Sequence, residues 1–264
     1  MSNIDQNRPI PKIESPSWRQ IYAQEIDECE ESFVPLSLTP ESFLVRSAYY
    51  VAGYKAALAE CFARKAVQKA LVDISKALPQ NLRIIVLDGW RSKQLQTDLF
   101  ATCENALALQ FPEKNKDERA VMSQDFVALP SSDPERPSPH STGGAIDLCL
   151  ADKNGQPLFF GSPFDYPLQI SHTRYFEEKV ERGEVLEDHE HEALENRRIL
   201  YHAMINAGFV NYDHEWWHFE YGTQRWAAIK GRSHALYGAK QLVFNSFASI
   251  TGLAEDEVLL SAGG

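Results

Sequence analysis

Two segments that lie far apart in the chain carry the side chains best suited to chemistry. In the first, residues 138–147, His140 precedes a Gly-Gly turn and Asp147 lies within an apolar run. On a strand, Asp147 would point away from the face of Ile146 and Leu148 because side chains alternate. A carboxylate near a core needs a partner, and a metal ion or an arginine would serve. Taken singly, the two residues also fit a loop histidine and an aspartate that accepts backbone hydrogen bonds.

The second segment, residues 214–222, begins with the sequence HEWWH. This matches HExxH, the pattern in which two histidines on one helical face bind zinc and the glutamate is the catalytic base. That pattern needs a helix of several turns, whereas this segment is short, aromatic and bracketed by glycines. We therefore predict that Glu215 and His218 reach one metal ion through a turn, with His214 as a neighbour. A zincin-like endopeptidase that uses His214 as a ligand is the alternative.

A cation follows the β-branched run of residues 82–87. Arg91 ends the sequence DGWR, which begins at Asp88. A guanidinium at the end of a strand stays protonated and offers several donors to developing negative charge. A surface ion pair between Asp88 and Arg91 is an equally good interpretation of this segment.

Hydrophobic periodicity predicts the elements that must position these side chains. Strands are expected at residues 82–87 and 145–150, and strands joined by a tight turn within residues 209–221. Helices are expected at residues 93 to about 109, with Ser92 as the cap, and at residues 196–207, ending at Gly208. Residues 40–78 show three- and four-residue spacing of apolar side chains, which indicates one or two amphipathic helices.

Composition excludes several classes of partner. The chain has 264 residues, is 44% hydrophobic and carries a formal net charge of −11. This charge disfavours nucleic acid and anionic membrane surfaces, because no basic patch interrupts it. No apolar run is long enough for a membrane span, and the polar first residues lack the apolar core of a signal peptide. We therefore expect a cytoplasmic protein with no nucleic-acid or membrane partner.

Five segments, taken together and in this order, resemble the D-alanyl-D-alanine dipeptidases, the VanX-type branch of the zinc peptidases that also contain D,D-carboxypeptidases. The segments are DGWR (88–91), SPHSTGGAIDL (138–148), GSPFD (161–165), ENRRILYHAMINAGF (195–209) and EWWH (215–218). The resemblance covers roughly residues 82–222.

The resemblance implies the ligands of one Zn²⁺ ion and two catalytic groups. His140, Asp147 and His218 would bind the zinc, a set of two imidazoles and one carboxylate that leaves a position open for water. Glu215 would be the general base. Arg91 would stabilise the tetrahedral oxyanion.

The resemblance also implies a small D,D-dipeptide as the substrate. Asp165 would face the free amino group of the peptide, and Ser138 would lie beside the bound peptide. The expected reaction is hydrolysis of D-alanyl-D-alanine to D-alanine. Two alternatives are D,D-carboxypeptidase action on longer cell-wall peptides and a non-catalytic module that uses zinc to bind such peptides.

For the fold, we expect an α+β protein with a small, mainly antiparallel sheet that carries the zinc site and is covered by helices. We expect a single zinc peptidase domain over residues 1–264. It would comprise an irregular N-terminal arm (1–40), a catalytic core (41–230) and a C-terminal extension (231–264).

Overall fold

A five-stranded sheet organises the computed structural model, which describes residues 6–12, 14–123 and 130–242. The helices are α1 (Trp18–Tyr22), α2 (Ala48–Val51), α3 (Lys65–Ala77), α4 (Lys93–Gln110), α5 (Lys116–Ser123), α6 (Tyr175–Glu181), α7 (Asp188–Asn206) and α8 (Gln224–Lys230). The strands are β1 (Glu25–Ile26), β2 (Phe33–Pro35), β3 (Phe43–Val45), β4 (Phe62–Arg64), β5 (Leu82–Asp88), β6 (Ala145–Asp152), β7 (Val210–Asn211), β8 (His218–Glu220) and β9 (His234–Ala235). Short 3-10 turns lie at Leu36–Leu38, Pro139–Thr142 and Gln169–Ser171.

The sheet has the order β3-β5-β6-β8-β7. Only β3 and β5 pair in parallel, and the three other pairings are antiparallel. The amphipathic helix α3 and the long helix α7 bury side chains in the same core as β5 and β6. The predicted α+β class, with a small and mainly antiparallel sheet, is therefore confirmed.

The registers of β5, β6 and β8 bring polar side chains to one face of this sheet. Asp147 of β6 lies directly opposite His218 of β8, in a strand whose other residues are mostly apolar and buried. A shift in the pairing of β5 with β6 places Asp88 opposite Asp147 as well. The alternation of strand side chains that the sequence predicted therefore aims these groups at a common point.

Three of the predicted elements have the expected bounds within a few residues. The strand at 82–87 is β5, the strand at 145–150 is β6, and the helix from residue 93 is α4, whose N-cap Ser92 accepts a bond from the backbone N–H of Leu95 at 3.1 Å. The helix predicted at 196–207 begins earlier, because Glu187 and Glu190 form a capping box at the start of α7.

The prediction of one or two helices over residues 40–78 was wrong for its first part. Only α3 is a helix of several turns there, and α2 spans four residues. Leu44 lies in β3, which pairs with β5, and Phe62 lies in β4, which pairs with β2. Strand pairing with distant segments thus overrides a weak helical spacing, as tertiary context often does.

The predicted irregular arm, residues 1–40, contains short elements that pair with the rest of the chain. Strand β1 pairs with β9, which lies in the predicted C-terminal extension, and β2 pairs with β4. The fully buried Arg64 forms two bonds of 2.9 Å to Glu28 of the arm and also donates to the carbonyl of Gly238. Residues 243–264 of the predicted extension lie outside the described residues. The domain boundaries stay a prediction.

None of the helices that the structure describes has both the length and the apolar character of a membrane span.

Candidate metal centre and cavity

The three candidate ligands come from two strands and the turn that precedes one of them. Asp147 and His218 face each other across β6 and β8, and His140 lies in the 3-10 turn that leads into β6. The chain passes from this turn into β6 through Gly143, which has a φ of +71°, and Gly144. A Cβ atom on Gly144 would lie 2.4 Å from the carbonyl oxygen of Tyr221, so this approach requires glycine.

Ligand atoms of the three side chains converge within 4.8 Å of one another. The Nε2 atom of His140 lies 3.3 Å from Oδ2 of Asp147, and Nδ1 of His218 lies 2.9 Å from Oδ1. The two ring nitrogens are 3.2 Å apart. All three side chains are buried.

The other ring nitrogens fix which nitrogen of each histidine can bind a metal. Nδ1 of His140 lies 2.7 Å from the carbonyl oxygen of Gly89, and Nε2 of His218 lies 3.2 Å from Oε1 of Glu220. Both partners are acceptors, so in the neutral imidazoles these nitrogens carry the protons and the facing nitrogens have the lone pairs that a metal would need. Two lone pairs and a carboxylate that face one point suit a divalent cation, and the donor set of two nitrogens and one oxygen suits zinc.

The electrostatics of the cluster also favour positive charge. Burial alone would lower the pKa of His218, but its bonds to Asp147 and Glu220 raise that pKa to about 10. Burial would raise the pKa of Asp147, but the two histidines outweigh this effect and hold it below its usual range. A protonated His218 beside ionised Asp147 and Glu220 thus shows that these surroundings stabilise positive charge before any ion binds.

Glu215 lies in the turn between β7 and β8, next to the cluster. Its Oε2 atom is 3.8 Å from Nδ1 of His218. The turn is held by Asn211, whose side-chain amide donates to the carbonyls of Glu215 at 3.0 Å and His218 at 2.9 Å. Burial, together with the nearby carboxylates of Asp147 and Asp165, raises the pKa of Glu215 to about 8. A carboxyl group with such a pKa can exchange a proton near neutral pH.

Arg91 follows β5 and is buried at the cavity wall. Its guanidinium donates to Asp88 at 2.9 Å, to Gln96 at 2.9 Å and to the hydroxyl of Tyr49 at 3.3 Å, and one Nη atom lies 3.5 Å from Asp147. The predicted ion pair with Asp88 is present, and the role of Arg91 toward developing negative charge stays a prediction. Arg91 pairs with Asp88, but the pair is buried beside the metal cluster.

Asp165 and Ser138 also reach the cavity. Asp165 has a φ of +60°, a backbone conformation that is costly for a residue other than glycine and that often marks a functional site. The protein atoms around its carboxylate raise the pKa of Asp165 to about 7, although the residue as a whole is exposed to solvent, which screens this effect. The hydroxyl of Ser138 lies 3.4 Å from Oε1 of Gln96.

The loop that carries Asp165 is fastened at both ends by Arg197 of α7. Its guanidinium donates to the carbonyl of Phe160 at 2.6 and 2.8 Å, to that of Ile170 at 2.7 Å and to that of His172 at 2.7 Å. Arg197 is almost completely buried, and burial lowers its pKa to about 9. One side chain therefore joins the segments before and after Asp165.

His214 takes no part in the cluster. Its ring stacks on that of His172, with centroids 4.6 Å apart, and its Nδ1 atom lies 3.2 Å from the hydroxyl of Tyr212. Residues 212–217 form turns instead of a helix, and β8 begins at His218. This geometry gives the zincin-like alternative no support, since its two histidines would have to share one helical face.

One cavity unites these groups, and it also contains side chains that we did not anticipate. The unanticipated lining residues are Trp18, Tyr49, Gln96, Leu99, Pro139, Tyr212, Glu220 and Arg225. Glu220 could have been found from the sequence, because it lies two residues after His218 and so shares its strand face. Trp18 and Tyr49 come from distant segments with no motif, and only folding brings them to the cavity.

Comparisons with known proteins agree with the motifs. A family model described as D-ala-D-ala dipeptidase (Peptidase_M15) matches residues 46–234, beyond the motif-bearing stretch on both sides. The chain is 37% identical over 108 residues to a D-alanyl-D-alanine dipeptidase of Synechocystis, an alignment that covers 40% of this chain and 43% of that protein. It is 31% identical over 163 residues to a D-alanyl-D-alanine dipeptidase of Escherichia coli, covering 61% of this chain and 67% of that protein.

Thus the chain spans less than half the length of the Synechocystis relative and about two thirds of that of E. coli. Among solved structures, a vancomycin-resistance D,D-pentapeptidase, VanY, in complex with Zn(II) matches with a TM-score of 0.33 and 15% identity. That match covers 75% of this chain and 84% of the VanY chain.

Proposed function

The chain belongs to the D-Ala-D-Ala dipeptidase family, and we propose that it is a zinc-dependent dipeptidase that hydrolyses D-alanyl-D-alanine to two molecules of D-alanine. The observation that carries the proposal is the convergence of His140, Asp147 and His218 on one point, with Glu215 beside them in a cavity. The match to the family over residues 46–234 supports the substrate class.

His140 and His218, through their facing nitrogens, and Asp147 would hold the zinc ion. Three protein ligands are the number found in catalytic zinc sites, whereas structural sites have four. Zinc bound there would act as a Lewis acid that polarises the scissile carbonyl and makes a water molecule acidic near pH 7. Gly89 and Glu220 keep the two imidazoles in the required tautomers.

Glu215 would take the proton of the attacking water and return it to the leaving amine. Its carboxylate lies close enough to His218 to contact a water molecule at the metal site. A well-placed general base contributes about 10²–10⁴ in rate. Glu215 must be ionised to act as a base, and the positive charge of a bound cation would lower its pKa from the high value that burial gives it.

Arg91 would stabilise the negative charge that develops on the carbonyl oxygen. Its guanidinium is anchored by Asp88 and Gln96 and points one Nη atom toward Asp147, so it borders the metal site without needing to move. Donors fixed before the reaction are the effective ones, because no reorganisation accompanies charge development. At the cavity wall, Asp165 would bind the free ammonium group, and Ser138 would lie beside the peptide.

The test is the Glu215→Gln variant, which keeps the size of the side chain and removes its basicity. We expect turnover of D-alanyl-D-alanine to fall by about 10²–10⁴, while elemental analysis finds one zinc ion per chain. In the His218→Ala variant, the zinc content itself should fall. Activity of Glu215→Gln near that of the wild type would contradict the role of Glu215.

The length of the accepted peptide and the cytoplasmic location stay predictions. Hydrolysis of free D-alanyl-D-alanine, with none of longer peptides that end in the same residues, would support the dipeptidase proposal. Cleavage of the longer peptides only would favour a D,D-carboxypeptidase. A zinc-loaded protein that binds such peptides but cleaves none would be a binding module.

A further inference from the structure

The cavity extends past the metal cluster to a cation that the proposed mechanism does not use. Arg225, in the first turn of α8, lines the cavity together with Trp18, Pro139 and Tyr212. We call these four residues the Arg225 pocket. Arg225 itself is 4% exposed, so its charged group lies almost wholly inside this part of the molecule.

One edge of the Arg225 guanidinium is held by the protein, and the other edge is accessible. Its Nε atom donates to Oε1 of Glu220 at 2.9 Å, the only side-chain hydrogen bond of Arg225 to any residue that the structure describes. Within the described ranges, every fully buried polar side-chain atom has a hydrogen-bond partner. The two Nη atoms of Arg225 have none, so they must reach solvent.

Two aromatic rings pack against this guanidinium. The Cζ atom lies 4.9 Å from the ring centroid of Trp18 and 4.4 Å from that of Tyr212. These contacts leave the Nη edge as the part that a ligand can meet. A planar guanidinium edge with paired N–H donors matches the two oxygens of a carboxylate.

Glu220 orients Arg225 without consuming its accessible donors. Its Oε1 atom accepts from Nε2 of His218 and Nε of Arg225, and its Oε2 atom accepts from the hydroxyl of Thr223. Glu220 is buried and fully engaged, which fixes the guanidinium relative to the metal cluster. A fixed donor group binds a ligand with little loss of side-chain entropy.

The cavity therefore carries groups of opposite charge. Asp165, exposed and beside Tyr49, offers a carboxylate, and the Arg225 pocket offers a guanidinium that is linked to His218 through Glu220. A free dipeptide at neutral pH has an ammonium group at one end and a carboxylate at the other. We propose that the Arg225 pocket binds the C-terminal carboxylate of the substrate, an assignment that rests on the proposed dipeptidase function.

The Arg225 pocket includes a residue, Trp18, from outside the part of the chain that matches the family. It lies in α1, outside the matched residues 46–234. Helix α1 contacts α8, and the side chain of Gln224 in α8 donates to the carbonyl of Gln24 at 2.7 Å. The N-terminal arm is thus fastened where it can complete the carboxylate subsite.

The test compares D-alanyl-D-alanine with its C-terminal amide, which lacks the carboxylate charge. For zinc-loaded wild type we expect kcat/KM to be about 10–100-fold higher for the acid than for the amide. Arg225→Gln should bring this ratio close to one, and Arg225→Lys should restore part of it. A residue with a merely structural role would lower both values together and leave the ratio unchanged.

The matched control is Arg232→Gln. Arg232 also lies over an aromatic ring, that of Trp226 at 5.6 Å, but it is exposed and does not line the cavity. In this variant, the ratio of kcat/KM for the acid to kcat/KM for the amide should equal that of the wild type. If Arg225→Gln fails to fold or loses zinc, Trp18→Leu tests the same pocket, and we expect its ratio to fall about two- to fivefold from the lost cation–π contact.

Binding without turnover gives an independent measurement. In the Glu215→Gln background, calorimetry should show that D-alanyl-D-alanine binds more tightly than the amide and that adding Arg225→Gln removes this preference. Equal affinity for acid and amide in the Glu215→Gln protein would overturn the carboxylate assignment. Hydrolysis of neither peptide by the zinc-loaded wild type would instead overturn the proposed function, so the two failures are distinguishable.

Discussion

Two buried arginines, Arg91 and Arg197, occupy regions that use the same charge in opposite ways. Arg91 lies among carboxylates and a tyrosine at the cavity wall, and Arg197, within the part of the chain that the structure describes, donates only to backbone carbonyls beneath the loop of Asp165. Burial would lower the pKa of Arg91, but Tyr49, Asp88 and Asp147 raise it above its usual range. For Arg197, burial lowers the pKa to about 9 because no carboxylate lies close enough to compensate.

The difference shows which feature of a buried cation indicates function. The region of Arg91 contains more acidic groups than one guanidinium can neutralise, so it favours additional positive charge and keeps its cation beside the candidate metal cluster. In the region of Arg197, each recorded donor interaction ends on a carbonyl of the scaffold. Such a cation has a structural role. The kind of partner, more than burial, therefore separates the two roles.

The largest expected effect is on catalysis, from Arg91→Gln. Removing the guanidinium should lower kcat for D-alanyl-D-alanine by about 10²–10³, the usual cost of a lost oxyanion donor. Zinc content should be retained, because all three ligands remain. Steady-state kinetics with elemental analysis measure both quantities. A kcat within about twofold of the wild type would place Arg91 with the structural arginines.

Arg197→Met should act on stability instead. We expect the free energy of unfolding to fall by about 2–4 kcal/mol, because one buried and two part-buried backbone carbonyls lose their donors. For the zinc-loaded folded fraction, kcat should change little. The control is Arg83→Met, since half-buried Arg83 donates to a single carbonyl, that of Pro40, and should cost less than about 1 kcal/mol. Denaturant titration and steady-state kinetics measure the two quantities. A large fall in kcat at unchanged stability would contradict this prediction.

The raised pKa of Glu215 should also make the stability of the metal-free protein depend on pH. Glu215 has a folded-state pKa of about 8, above its ordinary value of 4.5. Between these pH values the folded state holds a proton that the unfolded state has released, so stability falls as pH rises.

Relative to the wild type, Glu215→Gln should therefore gain stability as pH rises from about 4.5 to 8, reaching on the order of 1–3 kcal/mol. Thermal unfolding of both proteins in chelator at pH 5, 7 and 8.5 provides the measurement. A difference that stays constant with pH would show that the carboxyl of Glu215 is not perturbed.

The smallest effect is expected outside both regions, from His214→Ala. The imidazole contacts His172 and Tyr212 but no member of the metal cluster. Zinc content should be unchanged and kcat within about twofold, since only a stacking contact is lost. Loss of zinc in this variant would revive the HExxH interpretation.

The sequence alone determined much of the geometry of the candidate metal site. Strand alternation placed Asp147 on the polar face of β6, and the short aromatic segment around His218 excluded a zinc-binding helix in favour of a turn. The resemblance to zinc dipeptidases named the three groups that converge within 4.8 Å. These features depend on local spacing, which a sequence displays directly.

Tertiary structure alone decided the surroundings of that site. Leu44 lies in a strand because β3 pairs with β5, and Trp18 and Arg225 meet because α1 lies against α8. Arg197 joins two segments that flank Asp165, and no spacing of residues in the sequence predicts this contact. Such contacts depend on the summed packing of distant segments, so they become visible only when the chain has folded.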